Sequence, residues 1–113
     1  MYEKKIPKEL DCSIVVTMEV IGGKWKMCLI NDINKGLKRP TELHKAHPSA
    51  SPRVLNQQLS ELEKHGIISK AIFSVMPPKV EYSLTEIGFS LIPLIDVIKQ
   101  WGSTYKPQEV NML

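Results

Sequence analysis

The chain has 113 residues, 42% of them hydrophobic and 24% charged. That length suits one compact domain with a modest core, leaves little room for a second, and favours support from a partner subunit. A net charge of +3 permits nucleic-acid binding without demanding it, and no run of about 18 apolar residues marks a transmembrane helix.

Met1-Tyr2-Glu3-Lys4-Lys5 leads into no apolar segment ending in small residues. No secretory signal is therefore expected, and the expected location is the cytoplasm. Cys12 and Cys28 are too few for a disulfide framework and lack the paired spacing of a zinc site.

Taken in order, Ile14, Val15, Met18 and Ile21 recur at helical spacing in a region that begins near Leu10. Gly22-Gly23 breaks the pattern, and Trp25, Cys28, Leu29 and Ile33 restart it. This predicts two helices around a Gly-Gly corner, with Gly36 capping the second. Pro40-Thr41-Glu42-Leu43 opens a short third helix that ends near His47-Pro48. Ser51 is a good N-cap and Pro52 suits a first helical position, so a fourth helix runs to Lys64-His65 and closes on Gly66. Two helices joined by a short polar turn form a helix-turn-helix.

Residues 67–75 and 80–84 read as strands. Val80, Tyr82 and Leu84 alternate with Glu81 and Ser83. Met76-Pro77-Pro78-Lys79 cannot continue a ladder and makes a hairpin tip. Thr85 then caps a helix bearing Ile87, Leu91, Leu94, Ile95, Ile98 and Trp101, which Pro93 kinks or divides. The fold class is mainly α (α+β): a winged helix-turn-helix whose hairpin is the wing. A single domain spans 10–106, between an arm at 1–9 and a loose tail at 107–113.

At about 100° per residue, Leu55, Leu59 and Leu62 form one stripe of the fourth helix, with Val54 beside it. Arg53, Asn56, Gln57, Ser60 and Lys64 lie nearly opposite. Arg forks onto guanine, and Asn and Gln pair with adenine. Ser and Lys suit phosphates. Glu61 and Glu63 only flank that face, late in the helix. Any surface helix has a polar outer face. The acid-poor character of this one, and a wing bearing Lys70 and Lys79, favour DNA.

Several segments together resemble the HxlR family of bacterial regulators, relatives of MarR-type winged helices. They are Ile21-Gly22-Gly23-Lys24-Trp25-Lys26, Lys38-Arg39-Pro40-Thr41-Glu42-Leu43, Ser51-Pro52-Arg53-Val54-Leu55 through Leu59-Ser60-Glu61-Leu62-Glu63, and residues 77–88 from Pro77-Pro78-Lys79-Val80-Glu81-Tyr82 onward. The resemblance covers roughly residues 12 to 102. It implies a homodimer joined by N- and C-terminal helices, with recognition helices (about 52–65) in successive major grooves of double-stranded operator DNA. Wings (about 68–84) contact flanking backbone or minor groove. Arg53, Asn56 and Gln57 become DNA-facing candidates, with Lys79 at the wing and Arg39 as a phosphate candidate. Repression is the expected mode.

The chain departs from the family pattern at Gln58, where a basic residue is usual, at Pro40, where an aromatic is usual, and at Ser13, where Pro is usual. The first departure implies fewer positive charges on the recognition helix.

Some relatives sense oxidants or electrophiles through a cysteine near position 12. Cys12 therefore reads as a sensor, helped by Lys4, Lys5 and Lys8, or as a small apolar residue at the dimer interface. Cys28, beside Trp25 and Leu29, reads as inert packing. His44 and His47 are three apart, but nearby acidic or thiol ligands are lacking, so they read as solvated surface histidines and no metal site is expected. Leu91, Leu94, Ile98 and Trp101 read as a dimer core rather than an effector pocket, leaving the effector unknown. No catalytic set, Gly-rich phosphate loop or cofactor motif is evident, so no enzyme is read here. The alternative function is a winged-helix protein-interaction module without sequence-specific DNA binding.

Overall fold

The computed structural model describes residues 12–105. The N-terminal arm, the tail and the expected helix start at Leu10 lie outside them. Six helices and one hairpin follow in the expected order: α1 (Ser13–Ile21), α2 (Lys26–Asn34), α3 (Pro40–Ala46), α4 (Pro52–Lys64), β1 (Ile68–Phe73), β2 (Lys79–Leu84), α5 (Glu86–Ser90) and α6 (Ile92–Tyr105).

Local chemistry sets the boundaries. Glu42 Oε1 accepts the N–H groups of Lys38 at 3.0 Å and Arg39 at 3.1 Å, so the start of α3 is tied by its own third residue. These bonds, that of Arg39 first, hold the Glu42 carboxyl below its ordinary pKa. Ser51 Oγ accepts the Val54 N–H at 3.2 Å and caps α4. Gly66 ends that helix at φ +76°, a conformation other residues resist. Thr85 Oγ1 accepts the Gly88 N–H at 3.1 Å to start α5. The last helical segment divides at Leu91, and Pro93 falls in the first turn of α6, where its missing N–H costs nothing.

The hairpin is antiparallel, in register from Ile68 opposite Leu84 to Phe73 opposite Lys79. Both strands differ from expectation by a residue or two, because the turn takes 74–78 and Lys79 joins β2. The Tyr82 N–H donates to the Lys38 carbonyl at 2.9 Å, so the segment before α3 docks along β2.

The core collects Ile21 of α1, Leu29, Ile30 and Ile33 of α2, Leu43 of α3, the Leu55/Leu59/Leu62 stripe of α4, and Ile68, Tyr82 and Leu84 of the hairpin. Each fully buried Leu or Ile contributes about 2 kcal/mol. Ile95 is the residue of α6 that is buried here. Two inner-face assignments are corrected, those of Val54 and Cys28. Val54 sits at the rim of α4, 38% exposed, and Ile14 and Met18 are 72% and 49% exposed. Cys28 lies at the surface with its thiol partly covered, rather than in the core.

Lys26 is the buried charged residue among the described residues, at 5% exposure. Its Nζ lies 2.7 Å from Glu61 Oε1. The pair ties the start of α2 to the flank of α4. Glu61→Ala should cost about 3 kcal/mol, because it strands a desolvated ammonium. Lys26→Met with Glu61→Leu should cost much less. Denaturant midpoints check this, and equal losses for both variants would contradict it.

Candidate nucleic-acid interface

The side chains expected to meet DNA fall into two places. Arg53, Asn56, Gln57 and Lys64 are exposed on the outer strip of α4, and Ser60 is half-buried among them. The strip spans about 100° of arc. A rise of 1.5 Å per residue puts Lys64 about 16 Å beyond Arg53, so Arg53, Asn56 and Gln57 share one end of the helix while Lys64 stands apart. Asn56 Oδ1 meets His44 Nε2 at 2.9 Å, which braces the strip from α3.

Of the two acids flanking this strip, one is paired elsewhere. Glu61 holds Lys26. Glu63 lies near Tyr82, whose phenol pKa is raised first by burial and then by that carboxylate. The outer face therefore holds two cations, Arg53 and Lys64, and its amides with no carboxylate between them, and Glu63 stands at its margin.

Arg39 and Lys79 meet on a second feature, a groove of about 520 Å³ between the start of α3 and the wing tip. Met76 projects from that tip, 94% exposed. Arg39 Nε is 3.7 Å from Glu81 Oε2, and both side chains are partly solvated. Such a pair contributes about 1 kcal/mol or less, so Arg39 is easily released to another anion.

Some expectations change. His47 is no solvated surface histidine: its Nε2 meets Asp32 Oδ2 at 2.5 Å, with both side chains about 15% exposed. Its ring also lies 5.4 Å from that of Trp25. Gln58 is not a missing charge on the outer face: its Oε1 accepts the Trp25 backbone N–H at 3.1 Å. The helical wheel carried that signal, since Gln58 lies about 140° round from Arg53. Asp32 had no sequence signal, because its partner is 15 residues away.

Cys12 is exposed at the N-cap of α1, where its side chain makes no capping hydrogen bond. Lys4, Lys5 and Lys8 lie outside the described residues. Among the described residues no cluster of three or more His, Cys, Asp or Glu could hold a metal ion. Nor is any helix there long and apolar enough to cross a membrane.

The family described as HxlR-like helix-turn-helix matches residues 20–110. The chain belongs to that HxlR family. It is 44% identical over 102 residues to the HTH-type transcriptional regulator YkvN of Bacillus subtilis, covering 90% of this chain and 86% of YkvN. An HTH-type regulator of Methanothermobacter thermautotrophicus is 38% identical over 100 residues, 88% of this chain and 76% of the relative. The redox regulator HypR in its oxidised form superposes with a TM-score of 0.78 at 44% identity, over 82% of this chain and 96% of HypR. A MarR-family regulator of Enterococcus faecalis superposes at 0.73 with 33% identity, over 95% of this chain and 99% of that one. This HxlR protein is thus a DNA-binding transcriptional regulator of the winged helix-turn-helix type, and the hairpin at 68–84 is its wing.

Partial burial, and then the Asp32 carboxylate, raise the Cys28 thiol pKa. The thiolate is the reactive form. In a Cys12→Ser background at neutral pH, Cys28 should alkylate several-fold more slowly than free cysteine. A rate equal to free cysteine in a stopped-time labelling assay would contradict this.

Proposed function

We propose that this regulator binds operator DNA as a homodimeric repressor in the cytoplasm. Arg53, Asn56 and Gln57 read bases in the major groove, while Ser60 and Lys64 meet the backbone. Arg39 and Lys79 grip flanking phosphates through the wing groove. The observation that carries the reading is the exposed outer strip of α4, which presents Arg53, Asn56, Gln57 and Lys64, with one of its two flanking acids, Glu61, paired to Lys26. Bidentate side chains at the N-terminal end of a recognition helix are what major-groove discrimination uses. The domain spans 10–106, and it acts by binding rather than by catalysis.

An apolar surface that is exposed among the described residues supports the dimer. A cleft of about 260 Å³ runs between α1 and α6, lined by Ile14, Met18, Ile21, Met27, Leu94 and Ile98. Beyond it Trp101 and Tyr105 stack at 5.1 Å, 66% and 50% exposed. A contiguous exposed patch of this kind marks an interface, and a two-fold pairing of α1 and α6 would cover it. The exposed Cys12 at the N-cap of α1, with HypR described as a redox regulator, supports oxidant or electrophile sensing at Cys12.

The operator is obtained by selecting bound genomic fragments with and without oxidant. On it, Arg53→Ala and Gln57→Ala should each relax discrimination by about 1–3 kcal/mol at one base pair. Lys79→Ala should weaken binding to every duplex and reduce the log–log salt slope by about one. Altered sequence preference for Lys79→Ala with an unchanged slope would overturn the assignment. A salt-insensitive, non-discriminating wild type would favour a protein-interaction module instead. Light scattering at micromolar concentration should give a dimer mass that Ile98→Glu reduces to a monomer. A wild-type monomer mass would reject the dimer.

A further inference from the structure

Gln58 is fastened where a surface residue of a DNA-reading helix has no reason to be. Its side chain turns inward from α4 to the corner between α1 and α2. There Oε1 accepts the backbone N–H of Trp25, 33 residues away. Trp25 is the N-cap of α2, so that N–H has no partner within the helix. The amide lies so close across the corner that a Cβ on Gly23 would stand 3.0 Å from Gln58 Nε2. One turn further along α4, Glu61 takes the Lys26 ammonium at 2.7 Å. Two residues spaced i, i+3 on one helix thus grip two successive residues of the corner.

We infer that Gln58 is a positioning residue: with Glu61 it sets the rotation of α4 about its own axis, and so the sequence discrimination of the outer strip. The inference rests on the reading of α4 proposed above. Packing of Leu55, Leu59 and Leu62 is strong but non-directional. Hydrogen bonds are directional and weaken steeply off-axis. A roll of about 20° would move a side-chain end at the helix surface by about 2 Å, enough to lose a bidentate base contact. Phosphate contacts are less demanding, because a long flexible cation follows the backbone.

The same corner references the other helix of the motif. The Trp25 ring lies 5.4 Å from that of His47, which ends α3 and pairs with Asp32 of α2. Lys24 Nζ sits 5.1 Å from the centre of the Trp25 ring. Both helices of the helix-turn-helix are therefore held against one residue, α4 through its backbone and the end of α3 through its ring.

Position 58 invites the opposite expectation, that a basic substitution would add a phosphate contact and tighten binding. The two readings differ in sign. The test compares binding to the selected operator with binding to an unrelated duplex across a salt series, for Gln58→Met, Gln58→Arg and Gln58→Glu. Gln58→Met removes the acceptor at similar size and should cut the operator-to-unrelated ratio about tenfold, with little change on the unrelated duplex. Gln58→Arg should also lower the ratio, with an unchanged salt slope. Gln58→Glu keeps the acceptor and should retain more discrimination than Gln58→Arg, despite its unfavourable charge. Should Gln58→Met fail to fold, the Glu/Arg comparison decides alone. An unchanged ratio in Gln58→Met overturns the inference. So does Gln58→Arg tightening both duplexes with a slope steeper by about one. Arg53→Ala is the control. If it too leaves discrimination intact, the reading of α4 fails; if it alone lowers discrimination, only the role of Gln58 fails.

Discussion

A lysine ammonium buried at the start of α2 must find an anion, and the anion comes from the flank of α4. Desolvating a charge without a partner costs several kcal/mol. The Lys26–Glu61 pair therefore forbids arrangements in which α4 is rolled or shifted away from the corner after α1. Beside it, Gln58 satisfies the Trp25 N–H, and the Trp25 ring meets His47. Apolar burial brings the helices together, and these polar contacts choose one geometry among the many that would bury the same leucines. The orientation of the helix-turn-helix against the rest of the domain descends from this corner.

The corner also explains the electrostatics of the outer surface. With a net charge of only +3, the chain has no large excess of cations to direct at a polyanion. What matters is where the acids go. Glu61 is drawn to Lys26 and Glu42 caps its own helix, while Glu63 stays at the margin of the strip. The outer strip of α4 is left to Arg53, amides and a distant lysine. Counterion release depends on local phosphate contacts rather than on net charge, so a modestly basic domain is sufficient.

The apolar groups divide in a second way. Leu29, Leu43, Leu55, Leu59 and Leu62 are fully buried within one chain, whereas Ile14, Met18, Leu94, Ile98 and Trp101 remain in contact with water. Both sets have helical spacing, and periodicity does not distinguish a face covered by the same chain from one left exposed by it. Only the placement of α1 and α6 at the margin of the core separates them.

Residues 13–105 were legible as a succession of elements because their signals are local. Ser51-Pro52 starts a helix by side-chain capping and a fixed φ, Gly66 ends it by a positive φ, and Pro77-Pro78 cannot continue a ladder. The winged order, the α4 stripe and the outward set of Arg53, Asn56 and Gln57 follow from those signals and from a period of 3.6 residues. Long-range pairing was not legible. Gln58 reads as a lost charge until the Trp25 N–H is found beside it, His47 reads as solvated until Asp32 is found against it, and Cys28 reads as core until α2 is seen to turn it outward. By itself the sequence determined which segments are helix, strand and turn, and which face of α4 points out, since those depend on neighbours a few positions apart. The tertiary structure alone decided which polar groups meet across 15 or 33 residues, because such contacts exist only once the core has folded.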